Sequence, residues 1–130
     1  MKIAHIGLGN MGKAVQRIAN ERGHESIAEI FDADGIDKGL PLESDISIEC
    51  TVPGSCLENI RRLCDAGQDI VIVTTGWYDQ MSEVEAMIEK AGNRVIWSSN
   101  FSIGVYLYFR LVEAGAKLIN AADEYDVWGT

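Results

Sequence analysis

The sequence predicts an α/β fold built on a doubly wound parallel sheet of about six strands. Two observations support this. Short apolar segments alternate with longer segments whose apolar residues recur every three or four positions, the strand–helix order that builds a parallel sheet. The apolar segments are also continuous, as in 69–75 (DIVIVTT), which is typical of strands buried on both faces.

Each element follows from a local pattern. Apolar runs predict strands at 2–7, 26–32, 45–51, 69–75, 94–99 and 124–128. Helical periodicity predicts helices over 11–22 and 103–122, and two capping boxes, Ser55-x-x-Glu58 and Ser82-x-x-Glu85, predict the starts of two more. Gly23, Gly67 and Gly92 suit helix ends. Residues 33–44 show no helical periodicity and are predicted to form a bare loop.

The same periodicity predicts which helix faces point inward. The inward residues of the first helix are predicted to be Met11, Ala14, Val15, Ile18 and Ala19. Those of the last helix are predicted to be Val105, Tyr108, Leu111, Val112, Leu118 and Ile119.

The composition limits the classes of protein to consider. The 130 residues suit one domain, and a net charge of −9 offers no basic surface for nucleic acid. No apolar run approaches the ~18 residues that span a bilayer, and we read no signal peptide. Three cysteines without a C-x-x-C spacing fit reduced thiols in a cytoplasmic protein, and no metal-ligand spacing is present.

The strongest motif lies between the first strand and the first helix. Residues 7–12 (GLGNMG) match G-x-G-x-x-G. In this position Gly7 permits a tight turn, Gly9 lets the backbone approach a pyrophosphate, and Gly12 lets the helix pack closely on the strand. The donors at the helix N-terminus are backbone amides, so an acidic chain can still bind phosphates.

An acidic residue completes this pattern. Asp32 follows Gly12 by 20 positions at the predicted end of the second strand, where a carboxylate binds the adenosine ribose. Asp34 is the alternative, although it lies beyond the strand end. A carboxylate at this place repels a 2′-phosphate, so we expect NAD(H) to be preferred, with NADP(H) possible. Together these features predict a Rossmann-like dinucleotide-binding domain.

Three later segments narrow the choice among families of dinucleotide-binding enzymes. Residues 45–53 (DISIECTVP), 72–77 (IVTTGW) and 100–105 (NFSIGV) resemble, in this order and spacing, 4-hydroxy-tetrahydrodipicolinate reductase (dihydrodipicolinate reductase) of the lysine and diaminopimelate pathway. The sequence departs from the family pattern at Val73, where glycine is usual, and at Tyr106, where asparagine is frequent. Val52 stands where NADP-selective members can carry arginine, which again favours NAD.

The resemblance implies cofactor-binding roles for matching residues. The pyrophosphate loop would run from Ile6 to Met11, and Asp32 would hold the ribose. The remaining segments, at predicted strand ends, would lie near the nicotinamide half. The full set of expected cofactor-binding residues is Ile6, Gly7, Gly9, Asn10, Met11, Gly12, Asp32, Thr51, Pro53, Thr74, Thr75, Gly76, Ser99, Asn100 and Phe101.

The resemblance also implies that the full enzyme has a second, catalytic domain. The family's E-x-H-H and K-x-D-x-P-S-G-T segments, which serve substrate chemistry, do not occur in these residues. We therefore expect residues 1–130 to be a dinucleotide-binding domain that lacks the catalytic domain, binds cofactor without turnover, and has no catalytic residue of its own. The full enzyme is expected to be a homo-oligomer through the missing domain. The alternatives are a stand-alone NAD-binding sensor module and the nucleotide domain of another imine or hydroxyacid dehydrogenase.

Overall fold

The computed structural model describes residues 1–30, 43–122 and 124–125. Its elements, in chain order, are β1 (Lys2–Ile6), α1 (Asn10–Glu21), β2 (Glu25–Ile30), β3 (Ile46–Glu49), α2 (Pro53–Asp65), β4 (Ile70–Ile72), a 3₁₀ turn (Tyr78–Gln80), α3 (Met81–Ala91), β5 (Val95–Trp97) and α4 (Ile103–Ile119).

The strands form one parallel sheet in the order β2-β1-β3-β4-β5. The chain leaves β1 in one direction to reach β2 and then returns past β1 to β3. The switch point of the topology therefore lies between β1 and β3, and the predicted doubly wound α/β fold is confirmed.

The sixth strand is not confirmed. Glu124 and Tyr125 belong to no strand, and the rest of the segment predicted at 124–128 lies outside the described residues. Most of the loop predicted at 33–44 also lies outside them. The described part of the chain therefore contains five strands.

The described residues divide into two compact units, Met1–Ser99 and Asn100–Thr130. The first holds the sheet, α1, α2 and α3, and the second holds α4. The core of the first unit lies where α2 and α3 cover β1, β3 and β4, and its largest buried apolar side chains are Ile6, Ile60, Leu63, Ile70, Ile72, Trp77 and Val84.

Both predicted capping boxes are wrong. Helix α2 begins at Pro53 rather than after Ser55, and no side chain caps it. Proline at a first helical position has the required φ and lacks the N–H that a cap would satisfy. Glu58 instead pairs with Arg61 and Arg62, which hold the pKa of its carboxyl at about 2.

Helix α3 likewise begins at Met81, directly after the 3₁₀ turn and with Gln80 at its N-cap, so Ser82 lies inside the helix. Helix α4, in contrast, has a side-chain N-cap. The Ser102 hydroxyl accepts a hydrogen bond from the Val105 amide at 3.4 Å.

The predicted inward faces are correct only in part. In α1, Ala19 is buried, but Met11 and Ile18 are exposed. The helix packs on the sheet through a face of small residues, which includes Gly12 and Ala19. In α4, four residues of the predicted face are exposed. They are Tyr108, Leu111, Val112 and Leu118. Periodicity identifies an apolar stripe, but it does not say whether another element covers it.

Candidate cofactor-binding site

The carboxyl ends of β1, β3 and β4 lie side by side at one edge of the sheet. In open α/β sheets ligands bind in the crevice outside this edge, at the topological switch point. The loops that follow these strands begin at Gly7, Cys50 and Val73. Together with the first turns of α1 and α2, they contain most of the cofactor-binding residues that the sequence predicts in the first unit.

The glycine loop has the close packing that its motif requires. Gly7 has φ +85°, and a Cβ atom placed on it would lie 2.5 Å from the Cys50 carbonyl oxygen and 2.7 Å from Thr51 Cγ2. A Cβ atom on Gly12 would lie 1.9 Å from the carbonyl oxygen of Gly7. Helix α1 therefore packs against the end of β1 at a distance that only glycine allows.

The second glycine of the motif behaves differently. A Cβ atom on Gly9 would meet nothing within 4 Å, so the packing of the protein itself does not require glycine there. Gly9 is the N-cap of α1, which has no side-chain cap and no acidic residue in its first turn. The first amides of α1, including those of Asn10 and Met11, are therefore available to an anion.

The loops after β3 and β4 also contact each other. Gly76 has φ +81°, and a Cβ atom on it would lie 3.1 Å from Pro53 Cγ. Because Thr51 also lies against Gly7, the three loops form a continuous wall along the switch point. The structure thus brings together Gly7, Thr51, Pro53 and the 74–76 segment, as the sequence predicts.

Trp77 holds the 74–76 segment in place, and the sequence analysis did not single it out. Its ring is 1% exposed and packs against Tyr78 and Trp97, with ring centroids 5.2 and 5.6 Å away. Its Nε1–H donates a 2.9 Å hydrogen bond to the Thr74 carbonyl. A tryptophan directly after T-T-G was the available signal.

Glu49 was also missed. It ends β3, is fully buried, and its carboxylate accepts hydrogen bonds from Thr51, Cys56 and Asn59. The signal in the sequence was a single acidic residue inside an apolar strand (ISIEC), because a buried carboxylate requires dedicated donors.

The cysteines beside this site are not nucleophiles at neutral pH. Burial, together with the charge of Glu49, raises the pKa of the Cys50 thiol to about 12. Burial is also the main cause that raises the pKa of Cys56 and of Cys64. Thiolate is the reactive form, so these thiols are structural.

This shift predicts that the free energy of unfolding falls as pH rises from 9 towards 12. The native state keeps the proton on Cys50, whereas the unfolded chain loses it above its ordinary pKa of 9.0. The loss is at most roughly 1.4 kcal/mol per pH unit for this group. Urea unfolding of the wild type and of Cys50→Ala across this range measures it. Equal pH slopes for the two proteins would contradict the assignment.

The last three predicted residues follow β5. Ser99 is exposed just beyond the carboxyl end of β5, at the end of the first unit, while Asn100 and Phe101 belong to the second unit. There the Asn100 side-chain oxygen accepts a 2.7 Å hydrogen bond from the Ser102 amide. Asp32 and its alternative Asp34 lie outside the described residues.

Within residues 1–30, 43–122 and 124–125, no three His, Cys, Asp or Glu side chains come together as metal ligands. Over the same ranges no helix combines the length and apolar character needed to cross a bilayer.

Comparison with known families identifies the relatives of this chain. Residues 1–101 match the family described as "Dihydrodipicolinate reductase, N-terminus". The chain belongs to the dihydrodipicolinate reductase family. The family that the sequence resembles is thereby confirmed, and the glycine loop, the Thr51 turn and the T-T-G segment all fall inside the matched range.

Individual dihydrodipicolinate reductases support this membership. The 4-hydroxy-tetrahydrodipicolinate reductase of Christiangramia forsetii is 29% identical over 127 residues, covering 98% of this chain and 53% of that protein. The reductase of Methanocaldococcus jannaschii is 33% identical over 97 residues, covering 73% and 34%. That of Methanococcoides burtonii is 30% identical over 122 residues, covering 92% and 44%. The chain thus spans about half the length, or less, of these relatives.

Proposed function

We propose that this chain binds NAD(P)H along the carboxyl edge of its sheet, as the cofactor-holding part of a 4-hydroxy-tetrahydrodipicolinate reductase. The observation that carries the proposal is the contrast among the three motif glycines. Gly7 and Gly12 are required by close packing, whereas Gly9 faces open space at an uncapped helix N-terminus. A glycine that the protein's own packing does not need is what close approach of a pyrophosphate requires.

The roles of the surrounding residues follow from this placement. The backbone from Ile6 to Gly12 would hold the pyrophosphate, and Asp32, after β2, would hold the adenosine ribose. The nicotinamide half would then extend across β3 and β4, over the wall formed by Thr51, Pro53 and the Thr74–Gly76 segment. Ser99, Asn100 and Phe101 are proposed to complete that end.

The chemistry of such a complex is divided between cofactor and protein. A reduced pyridine nucleotide, when bound, supplies the hydride. The loops at the carboxyl edge offer backbone donors and a shaped wall, which would bind and orient the cofactor. We therefore propose that the chain by itself binds the cofactor without turning over substrate. Reductase activity from the purified 130 residues would contradict this.

The redox state of the three cysteine thiols indicates the cellular compartment of the protein. Cys50, Cys56 and Cys64 are all free. Unpaired buried thiols suit a reducing environment. We propose a cytoplasmic location on this basis.

We propose NAD(H) as the preferred cofactor, and the prediction concerns Asp32. Replacing it with alanine is expected to weaken NADH binding by about 1–3 kcal/mol, because charge-assisted hydrogen bonds to the ribose are lost. The same change is expected to improve NADPH binding relative to NADH, because a negative charge facing the 2′-phosphate is removed. Titration of both cofactors into both proteins measures this.

Asp34→Ala is the matched control for Asp32→Ala and should leave NADH affinity unchanged. If Asp34→Ala weakens binding and Asp32→Ala does not, the ribose acid is Asp34. Tighter binding of NADPH than of NADH by the wild type would contradict the proposed preference.

A further inference from the structure

Glu49 is an acidic residue that is fully buried in the first unit. Its side chain points from the end of β3 towards α2, into the core of the first unit. An ionised carboxylate removed from water is unfavourable unless donors surround it. The donors around the Glu49 carboxylate therefore indicate its role.

All the hydrogen bonds described for the Glu49 carboxylate come from neutral donors. Oε1 accepts from the Thr51 amide at 3.2 Å, from the Thr51 hydroxyl, and from Asn59 Nδ2 at 3.2 Å. Oε2 accepts from the Cys56 thiol at 3.3 Å. Two of these four bonds fix one residue, Thr51, by its backbone and by its side chain together.

Asn59 reinforces the same restraint. Its Nδ2 donates to Glu49 and also to Thr51 Oγ1, at 3.0 Å, while its Oδ1 is buried without a hydrogen-bond partner. The amide orients its donor group towards an acceptor-only carboxylate. Thr51 Oγ1 is thus held between Glu49 and Asn59, and a single χ1 rotamer satisfies both.

The γ-methyl group of Thr51 lies on the side of the switch point between β1 and β3. Its Cγ2 atom lies 2.7 Å from the place where a Cβ on Gly7 would be, so it touches the glycine loop. The ribose acid would follow β2, on the far side of β1, and a dinucleotide crosses the switch point. Thr51 therefore lies on the side of the nicotinamide half.

We propose that Glu49 is a positioning residue, which fixes the rotamer and backbone of Thr51 so that the turn after β3 fits the nicotinamide half of the cofactor. This inference rests on the proposed function. A purely structural role makes a different prediction. A buried carboxylate replaced by an apolar side chain of similar volume is often neutral for stability, whereas a positioning role loses ligand affinity in a ligand-specific way.

The test compares Glu49→Met with Glu49→Gln. Methionine keeps the volume and removes both acceptors, whereas glutamine keeps an acceptor at Oε1 and places its amide beside Cys56. Dissociation constants are measured for NADH and for ADP, which has the adenosine and pyrophosphate but no nicotinamide. Glu49→Met is expected to weaken NADH binding by about tenfold, the loss of one or two net hydrogen bonds, and to leave ADP binding within about twofold. Glu49→Gln is expected to restore most of the NADH affinity.

A double-mutant cycle shows whether Glu49 acts through Thr51. Thr51→Val removes the hydroxyl and keeps the branched shape, and it also serves if Glu49→Met fails to fold. It should weaken NADH binding selectively, and the double variant should lose no more than Glu49→Met alone. Additive losses, equal losses for NADH and ADP in either single variant, or unchanged NADH affinity would overturn the inference. A wild type that binds neither ligand would overturn the proposed function, and with it the inference.

Discussion

Gly12→Ala is expected to destabilise the sheet-containing unit by about 3 kcal/mol or more and to abolish binding of NADH. The new Cβ would lie 1.9 Å from the Gly7 carbonyl oxygen, a backbone atom that cannot rotate away. Either α1 moves off β1 or the glycine loop changes shape, and both disrupt the anion site. Overpacking of this kind costs about 1–3 kcal/mol and sometimes more, of a total stability of roughly 5–15 kcal/mol.

Two other glycines provide matched controls for Gly12→Ala. A Cβ on Gly9 or on Gly54 would meet nothing within 4 Å. Gly9→Ala should keep the melting temperature of the wild type and lose NADH affinity, because its methyl group would occupy the space proposed for the pyrophosphate. Gly54→Ala, in the first turn of α2, should change neither quantity. A Gly12→Ala variant with wild-type melting temperature and affinity would show that α1 does not pack as described.

Trp77→Ala is expected to lower the free energy of unfolding by about 3–5 kcal/mol. The variant removes a ring that is 1% exposed and packed on Tyr78 and Trp97, so the cavity is lined by groups that cannot all move inward. It also leaves the Thr74 carbonyl without its donor. Urea unfolding measures the loss, which is a large share of the roughly 5–15 kcal/mol that stabilises a typical domain.

Trp77→Phe separates the ring from the hydrogen bond. Phenylalanine keeps much of the packing and lacks Nε1–H, so we expect a smaller loss, about 1–2 kcal/mol, with weaker NADH binding because the 74–76 segment is less restrained. Trp97→Phe, at a ring that is 44% exposed, is the matched control and should leave affinity unchanged. Equal stability and affinity for Trp77→Phe and the wild type would contradict the role given to the hydrogen bond.

The sheet and the glycine loop could be predicted from the sequence because both depend on local signals. Continuous apolar runs predicted five of the strands, and G-x-G-x-x-G predicted that Gly12 lets the first helix pack closely on the first strand. The T-T-G segment was correctly expected at the same edge as the glycine loop, since parallel strands end together.

Other features were predicted wrongly or missed, one because a competing local signal decided the structure and the rest because they depend on long-range packing. Ser55 and Glu58 match a capping box, but Pro53 already starts α2, and Glu58 is paired with arginines. The role of Glu49 appears only when Asn59, ten residues away on a helix, is brought beside it. The exposed apolar stripe of α4 shows the same limit, because periodicity carries no information on what covers a helix.

The central claim, that the carboxyl edge of the sheet binds a pyridine dinucleotide, is tested most directly by titrating NADH into the isotopically labelled chain and following backbone amide shifts. We predict saturable shifts at Gly9, Asn10 and Met11, and at Thr51 and the Thr74–Gly76 segment, with none at the opposite edge, where Glu25, Asp45 and Asp69 lie. Shifts confined to that opposite edge, or no saturable shift at the glycine loop, would contradict the account.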